Sequence, residues 1–169
     1  RELYAALDCG AVAAIHPFYT AAIREFEDAG KPIIGSAPVG VEGTNSWIDS
    51  IGDTFNIAKK IIGEAKQKIL PQIQKSLDDK KINNKITVSG YEGSELIVAR
   101  TLIEAGAEVP YVGTACPKTK WSTEDKDWLE SRGVFVKFRA SSEDDISAVK
   151  SVKPDLAIGT TPVVQKAKE

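Results

Sequence analysis

Residues 8–52 read DCGAVAAIHPFYTAAIREFEDAGKPIIGSAPVGVEGTNSWIDSIG, and the fold is decided in this stretch. An apolar run, Ala11 to Ile15, stops abruptly at His16-Pro17, and an amphipathic run from Phe18 to Ala29 follows. A second apolar run, Pro32 to Ile34, opens into PVGVEGT, Pro38 to Thr44. The pattern predicts a strand, a helix, a strand and a Gly-punctuated turn into another helix. Side chains at two such strand ends can share one crevice.

The same alternation continues outward. ITV (Ile86 to Val88) precedes Ser94 to Ala105, where Leu96, Ile97, Ala99, Leu102 and Ile103 mark one apolar face. VPYVG (Val109 to Gly113) precedes Ser122 to Arg132, with Ser122 or Thr123 as the expected N-cap. VFVKF (Val134 to Phe138) precedes Ser142 to Val152, and LAIG (Leu156 to Gly159) precedes a terminal helix from Pro162. Short apolar strands alternating with helices predict an α/β fold: Rossmann-like parallel sheets of roughly six strands, with helices on both faces.

Asp53 to Asp79 breaks this rhythm as one long helical pattern, weakened by Gly63 and expected to kink at Pro71. It reads as a bridge. Residues 1–56 then form part of one Rossmann-like lobe, 57–82 the bridging helix and turn, and 83–169 a second lobe. The other reading is a single continuous domain with one long helix on its face.

The 169 residues are 42% hydrophobic and 27% charged, enough for a real core. Lys+Arg 22 against Asp+Glu 24 leaves a formal charge of -2, which offers no basic field to nucleic acid. No apolar run approaches the roughly 20 residues that span a bilayer, and no signal-peptide pattern opens the chain. The default placement is cytoplasmic. The sequence has no Met and ends in the helical pattern PVVQKAKE, which reads as a piece of a longer polypeptide. Cys9 and Cys116 lie far apart and outside any C-x-x-C pair, so no self-contained zinc or iron–sulfur site is legible and no metal ligand is assigned. Trp47, Trp121 and Trp128 lie on helical patterns and read as core or interface anchors.

Two Gly-rich turns and one His turn could carry chemistry. SGYEGSE (Ser89 to Glu95) follows a strand and opens a helix, where a Rossmann fold holds pyrophosphate. It lacks G-x-G-x-x-G spacing, and Glu92 and Glu95 would repel phosphate, so it reads as a structural turn. No G-x-x-x-x-G-K-[ST] exists for ATP hydrolysis. In VGVEGT, Gly40 and Gly43 allow unusual backbone angles and Thr44 is the expected N-cap; the turn is either a tight way into a helix or part of a pocket wall. His16, Phe18 and Tyr19 sit at a strand's carboxyl end around the rigid Pro17. They are either packing residues or what a flat macrocycle needs, stacking faces plus a polar group at one edge. His16 is the sole imidazole, so any His-dependent chemistry runs through it.

GKPIIGSAPVGVEGTNSWIDSIG resembles the nitrogenase-like reductases (nitrogenase component 1-like), in which a G-x-P strand leads to P-x-G-x-x-x-T and a helix. GAVAAIHPFYTAAIREFE and GTACPKTKWS resemble, within them, the chlorophyllide reductases of bacteriochlorophyll synthesis. The likeness extends over nearly the whole chain and is generic only in the Lys-rich bridge. It implies a piece of the catalytic Y subunit, paired with a Z subunit as a heterotetramer that carries a four-iron four-sulfur cluster. The cluster ligands belong to a more N-terminal part of the Y subunit and are not carried onto Cys9 or Cys116. A separate ATP- and Mg-dependent iron–sulfur X subunit would deliver electrons, and the C7–C8 bond of ring B of chlorophyllide a would be reduced. In the resembling nitrogenases this first strand end lies near the active-site cofactor, and one of them places a metal-ligating Cys there; here the turn has none. The resemblance implies His16, Phe18, Tyr19 and Gly40 as substrate-binding residues, the proton donors staying unknown. The alternatives are a protochlorophyllide reductase subunit acting on ring D, or a non-catalytic tetrapyrrole-binding or assembly scaffold.

Overall fold

Val12–Ala13 (β1) and Ile33–Ile34 (β2) pair in parallel, Val12 beside Ile33 and Ala13 beside Ile34. Between them runs Thr20–Asp28 (α1), whose Ile23 is buried. The computed structural model describes residues 5–16 and 20–168, and the chain divides into two units, Arg1–Gln74 and Lys75–Glu169.

In the first unit Gly40–Thr54 (α2) follows β2 and buries Thr44, Ile48 and Gly52. The expected N-cap at Thr44 is corrected: Val39 is the N-cap, Gly40 begins the helix at φ 63°, and Thr44 lies inside it with 8% exposed. Gly40 adopts an angle that costs other residues a steric clash, so the helix starts a full turn earlier than a Thr cap would place it. Lys59–Asp78 (α3) follows as one long helix, but it starts later than the Asp53 expected from the sequence, because Asp53 and Thr54 still belong to α2. Asn56 takes φ 54°, the Asn56 N–H bonds the Asp53 carbonyl, and the Ile57 N–H bonds the Gly52 carbonyl at 2.8 Å. These two bonds form the left-handed C-terminal motif that closes a helix, with Asn in the place where glycine is commonest. The chain restarts at Ala58, whose carbonyl accepts from Ile61 and Ile62. Ile62 packs on α2 at Gly52, where an added Cβ would stand 2.8 Å from its Cγ1. Helix α3 runs through Pro71 and buries no residue fully.

The second unit holds Lys85–Ser89 (β3), Glu95–Glu104 (α4), Glu108–Thr114 (β4), Lys120–Glu130 (α5), Phe135–Phe138 (β5), Ser142–Val152 (α6), Leu156–Ile158 (β6) and Thr161–Ala167 (α7). The strand order is β5-β4-β3-β6, with every pairing parallel. Helices α4 and α5 pack together, as do α6 and α7. Right-handed crossovers that step outward to β5 and then return past β3 to β6 put these two pairs on opposite faces of the sheet. Ile86, Val88, Leu96, Ala99, Val112 and Leu129 are at most 2% exposed and form the centre of the core. The N-cap of α5 is also corrected, from Ser122 or Thr123 to Thr119: the Thr119 hydroxyl accepts from the Ser122 N–H, and Ser122 answers as the third residue of a capping box.

Candidate functional site

Both strands of the first sheet point their carboxyl ends the same way. The Val12 N–H bonds the Pro32 carbonyl at 2.9 Å, and the Ala14 N–H bonds the Ile34 carbonyl at 2.8 Å. Beyond the second bond, β1 passes through exposed Ile15 to half-buried His16. Beyond Ile34, the Val39 N–H bonds the Ala37 carbonyl at 2.8 Å, a three-residue turn centred on Pro38, and Gly40 then opens α2. His16 and Gly40 are thus brought to the same edge of one sheet, where open α/β sheets hold ligands. Phe18 and Tyr19 lie outside the described residues, so the aromatic half of this site is not placed.

The second unit has a crevice of about 440 Å³ at the carboxyl ends of β3 and β6, lined among others by Ser89, Gly90, Glu92, Gly159 and Thr160. It lies where the strand order reverses, since β4 flanks β3 on one side and β6 on the other. The turn SGYEGSE forms one wall. Its backbone donors are taken by the chain itself: Glu92 and Gly93 N–H donate to Glu95 Oε1 at 2.9 and 3.2 Å, and the Thr114 hydroxyl donates to Glu95 Oε2 at 2.6 Å. Sequence reasoning weighed this turn alone. The opposite wall, Ile158 to Thr160, has no signal of its own because the β3–β6 pairing is long-range.

The second unit also holds a buried polar pair. The Tyr111 hydroxyl donates to Asp145 Oδ1 at 2.8 Å, and Asp145 is 2% exposed. Burial pushes the Asp145 carboxyl above its ordinary range; the Tyr111 hydrogen bond opposes this, and the charges of Asp144 and Glu95 add to it. Gly113 makes room for the pair, because a Cβ there would collide with the Asp145 carboxylate.

Each unit holds a single cysteine, short of the four thiolate ligands that a four-iron cluster takes. Cys9 belongs to the first unit and Cys116 to the second. Burial pushes the Cys116 thiol up to about 11. Among the described residues no group of three or more His, Cys, Asp or Glu could hold a metal ion. No helix among them is long and apolar enough to cross a membrane.

Parallel sheets with helices on both faces, and turns gathered at the carboxyl edges of their strands, define a Rossmann-like α/β protein. The chain belongs to the nitrogenase component 1 type oxidoreductase family, whose model matches residues 1–169. It is 61% identical over 168 residues to the chlorophyllide reductase 52.5 kDa chain of Cereibacter sphaeroides, and 63% identical over 168 residues to that of Rhodobacter capsulatus. Both alignments cover 99% of this chain and 34% of the relative, so the chain spans about a third of their length. Subunit N of the light-independent protochlorophyllide reductase of Prochlorococcus marinus (strain NATL2A) is 32% identical over 152 residues, covering 84% of this chain and 35% of the relative. A solved structure described as nitrogenase Cp1 at pH 6.5 superposes with a TM-score of 0.61 at 20% identity, covering 94% of this chain and 36% of that one, which supports the fold alone.

Proposed function

We propose that this chain is part of the catalytic component of a chlorophyllide reductase. The enzyme reduces the C7–C8 double bond of ring B of chlorophyllide a during bacteriochlorophyll synthesis and acts in the cytoplasm. One contrast carries the reading: identity is 61% and 63% to the two chlorophyllide reductase chains, against 24% to 32% to the protochlorophyllide reductase subunits. The reaction adds two electrons and two protons across one carbon–carbon bond. Electrons come from an ATP- and Mg-dependent iron–sulfur X subunit, by way of a four-iron four-sulfur cluster in the Y/Z heterotetramer. The ligands of that cluster are not among Cys9 and Cys116.

This chain's own share is to bury and orient the ring. The turn after β1 brings His16, and the turn after β2 brings Gly40, to one sheet edge, and Phe18 and Tyr19 follow His16 in the sequence. The aromatics would pack on the macrocycle, His16 would meet a polar group at its edge, and the small Gly40 lets the backbone come close. The test is the full-length subunit reconstituted with its partners, with the absorbance of chlorophyllide a followed during ATP-driven reduction. Replacement His16→Ala should lower kcat/KM roughly ten- to hundredfold, the worth of one hydrogen bond to a charged group, while assembly is kept. Full activity of an assembled His16→Ala enzyme removes His16 from the site. Reduction of protochlorophyllide in place of chlorophyllide overturns the substrate.

A further inference from the structure

The turn between β3 and α4 has the layout that receives phosphate in dinucleotide folds: a strand, a Gly-rich bend, and a helix whose first N–H groups are unclaimed by the helix. Here the place of the phosphate is taken. Glu95, the first residue of α4, is 5% exposed and folds back into the bend. One of its carboxylate oxygens accepts from the Glu92 and Gly93 N–H groups, and the other accepts from the Thr114 hydroxyl. The bend is shaped around that carboxylate. Gly93 takes φ 81°, and a Cβ at Gly90 would stand 2.6 Å from Glu95 Oε1. The negative charge also sits at the positive end of α4, which favours it.

We infer that Glu95 is a built-in anion that closes this turn to phosphate- and carboxylate-bearing ligands and so sets the specificity of the crevice beside it. An incoming oxyanion would have to displace three hydrogen bonds and then face Glu92, which lines the same crevice. No lysine or arginine lines it among the described residues to offset that repulsion. The crevice is reserved for ligand parts that bring no oxyanion, and a unit with the outline of a nucleotide-binding fold does not bind nucleotide phosphate. This rests on the second unit alone and stands apart from the proposed activity.

The probes are inorganic phosphate and pyrophosphate, added to the chain while its backbone amide resonances are followed. The parent should show no saturable shift at Glu92 or Gly93. Glu95→Ala should gain saturable shifts at both with either probe. Glu95→Gln, whose amide oxygen can keep the cradle filled, should stay blind to them. Saturable pyrophosphate shifts at these amides in the parent overturn the inference, as does a folded Glu95→Ala variant that gains none. Should Glu95→Ala fail to fold, hydrogen exchange decides. Replacing a charge-assisted acceptor by a neutral one in Glu95→Gln should speed exchange at Glu92 and Gly93 roughly five- to tenfold, and unchanged exchange overturns the inference.

Discussion

At the scale of single residues, two buried polar pairs join positions far apart in sequence. Tyr111 donates to Asp145 across 34 positions, and Arg100 pairs with Asp125 across 25. Trp128, expected as a core or interface anchor, is half-buried with two guanidinium groups over its ring, Arg100 at 4.7 Å and Arg132 at 3.6 Å from the centroid. The Tyr111–Asp145 pair yields a prediction with a definite sign. The Asp145 carboxyl is raised in the fold, so its charged form is costly above the ordinary carboxylate range, and the Tyr111 hydroxyl relieves part of that cost. Tyr111→Phe should therefore cost on the order of 1.5–3 kcal/mol at neutral pH. Once the pH falls below about 4 and Asp145 is protonated in both states, the loss should shrink. Urea unfolding at the two pH values checks this; a loss independent of pH would mean that the tyrosine acts by packing alone.

Among the elements, α6 shows how local chemistry starts a helix. The Ser141 hydroxyl accepts from the Asp144 N–H at 3.2 Å, the Asp144 carboxylate accepts from the Ser141 N–H at 2.9 Å, and Lys137 reaches Asp144 at 2.7 Å. Lys137 first, then Ser141, hold the Asp144 carboxyl down to about 2. A depressed carboxyl adds stability above its unfolded value and loses it as the pH falls through the folded one. Asp144→Asn should thus lower the unfolding midpoint at neutral pH, and the gap to the parent should close as the pH is taken down towards 2. Ser141→Ala should cost about 0.5–2 kcal/mol as a lost cap. Thermal unfolding across that pH range tests both, and a gap that persists in acid would assign the effect to helix propensity. The start of α6 was legible because its capping residues lie within four positions of one another. That of α2 was not, since nothing in the string distinguishes Gly40 at a positive φ from Thr44 as a cap.

Considered whole, the molecule has an uneven core. Among the described residues the first unit has a two-stranded sheet with Ile23, Ile34 and Ile48 buried, whereas the second encloses a continuous cluster from Ile86 to Val136. Opening free energies should follow burial. In native-state hydrogen exchange, the amides of β1 and β2 should exchange at least about tenfold faster than those of β3 and β4. Equal protection in the two sheets would show that they open as one cooperative body.

The sequence by itself determined the alternation of strands and helices, the parallel pairing that follows from it, and the placement of His16 and Gly40 after neighbouring strands. All of these are encoded within some 30 residues, by periodicity and by the reach of a right-handed crossover. The likeness to chlorophyllide reductases was legible for the same reason, because GAVAAIHPFYTAAIREFE and GTACPKTKWS are contiguous strings. Only the tertiary structure decided that β6 returns to the far side of β3, that Asn56 ends one helix before the next begins, and that Glu95 fills the cradle beside it. Strand order and the Thr114 bond that holds the Glu95 carboxylate depend on what the rest of the chain brings alongside. That is a matter of three-dimensional packing and hydrogen-bond satisfaction, which no local window of residues contains.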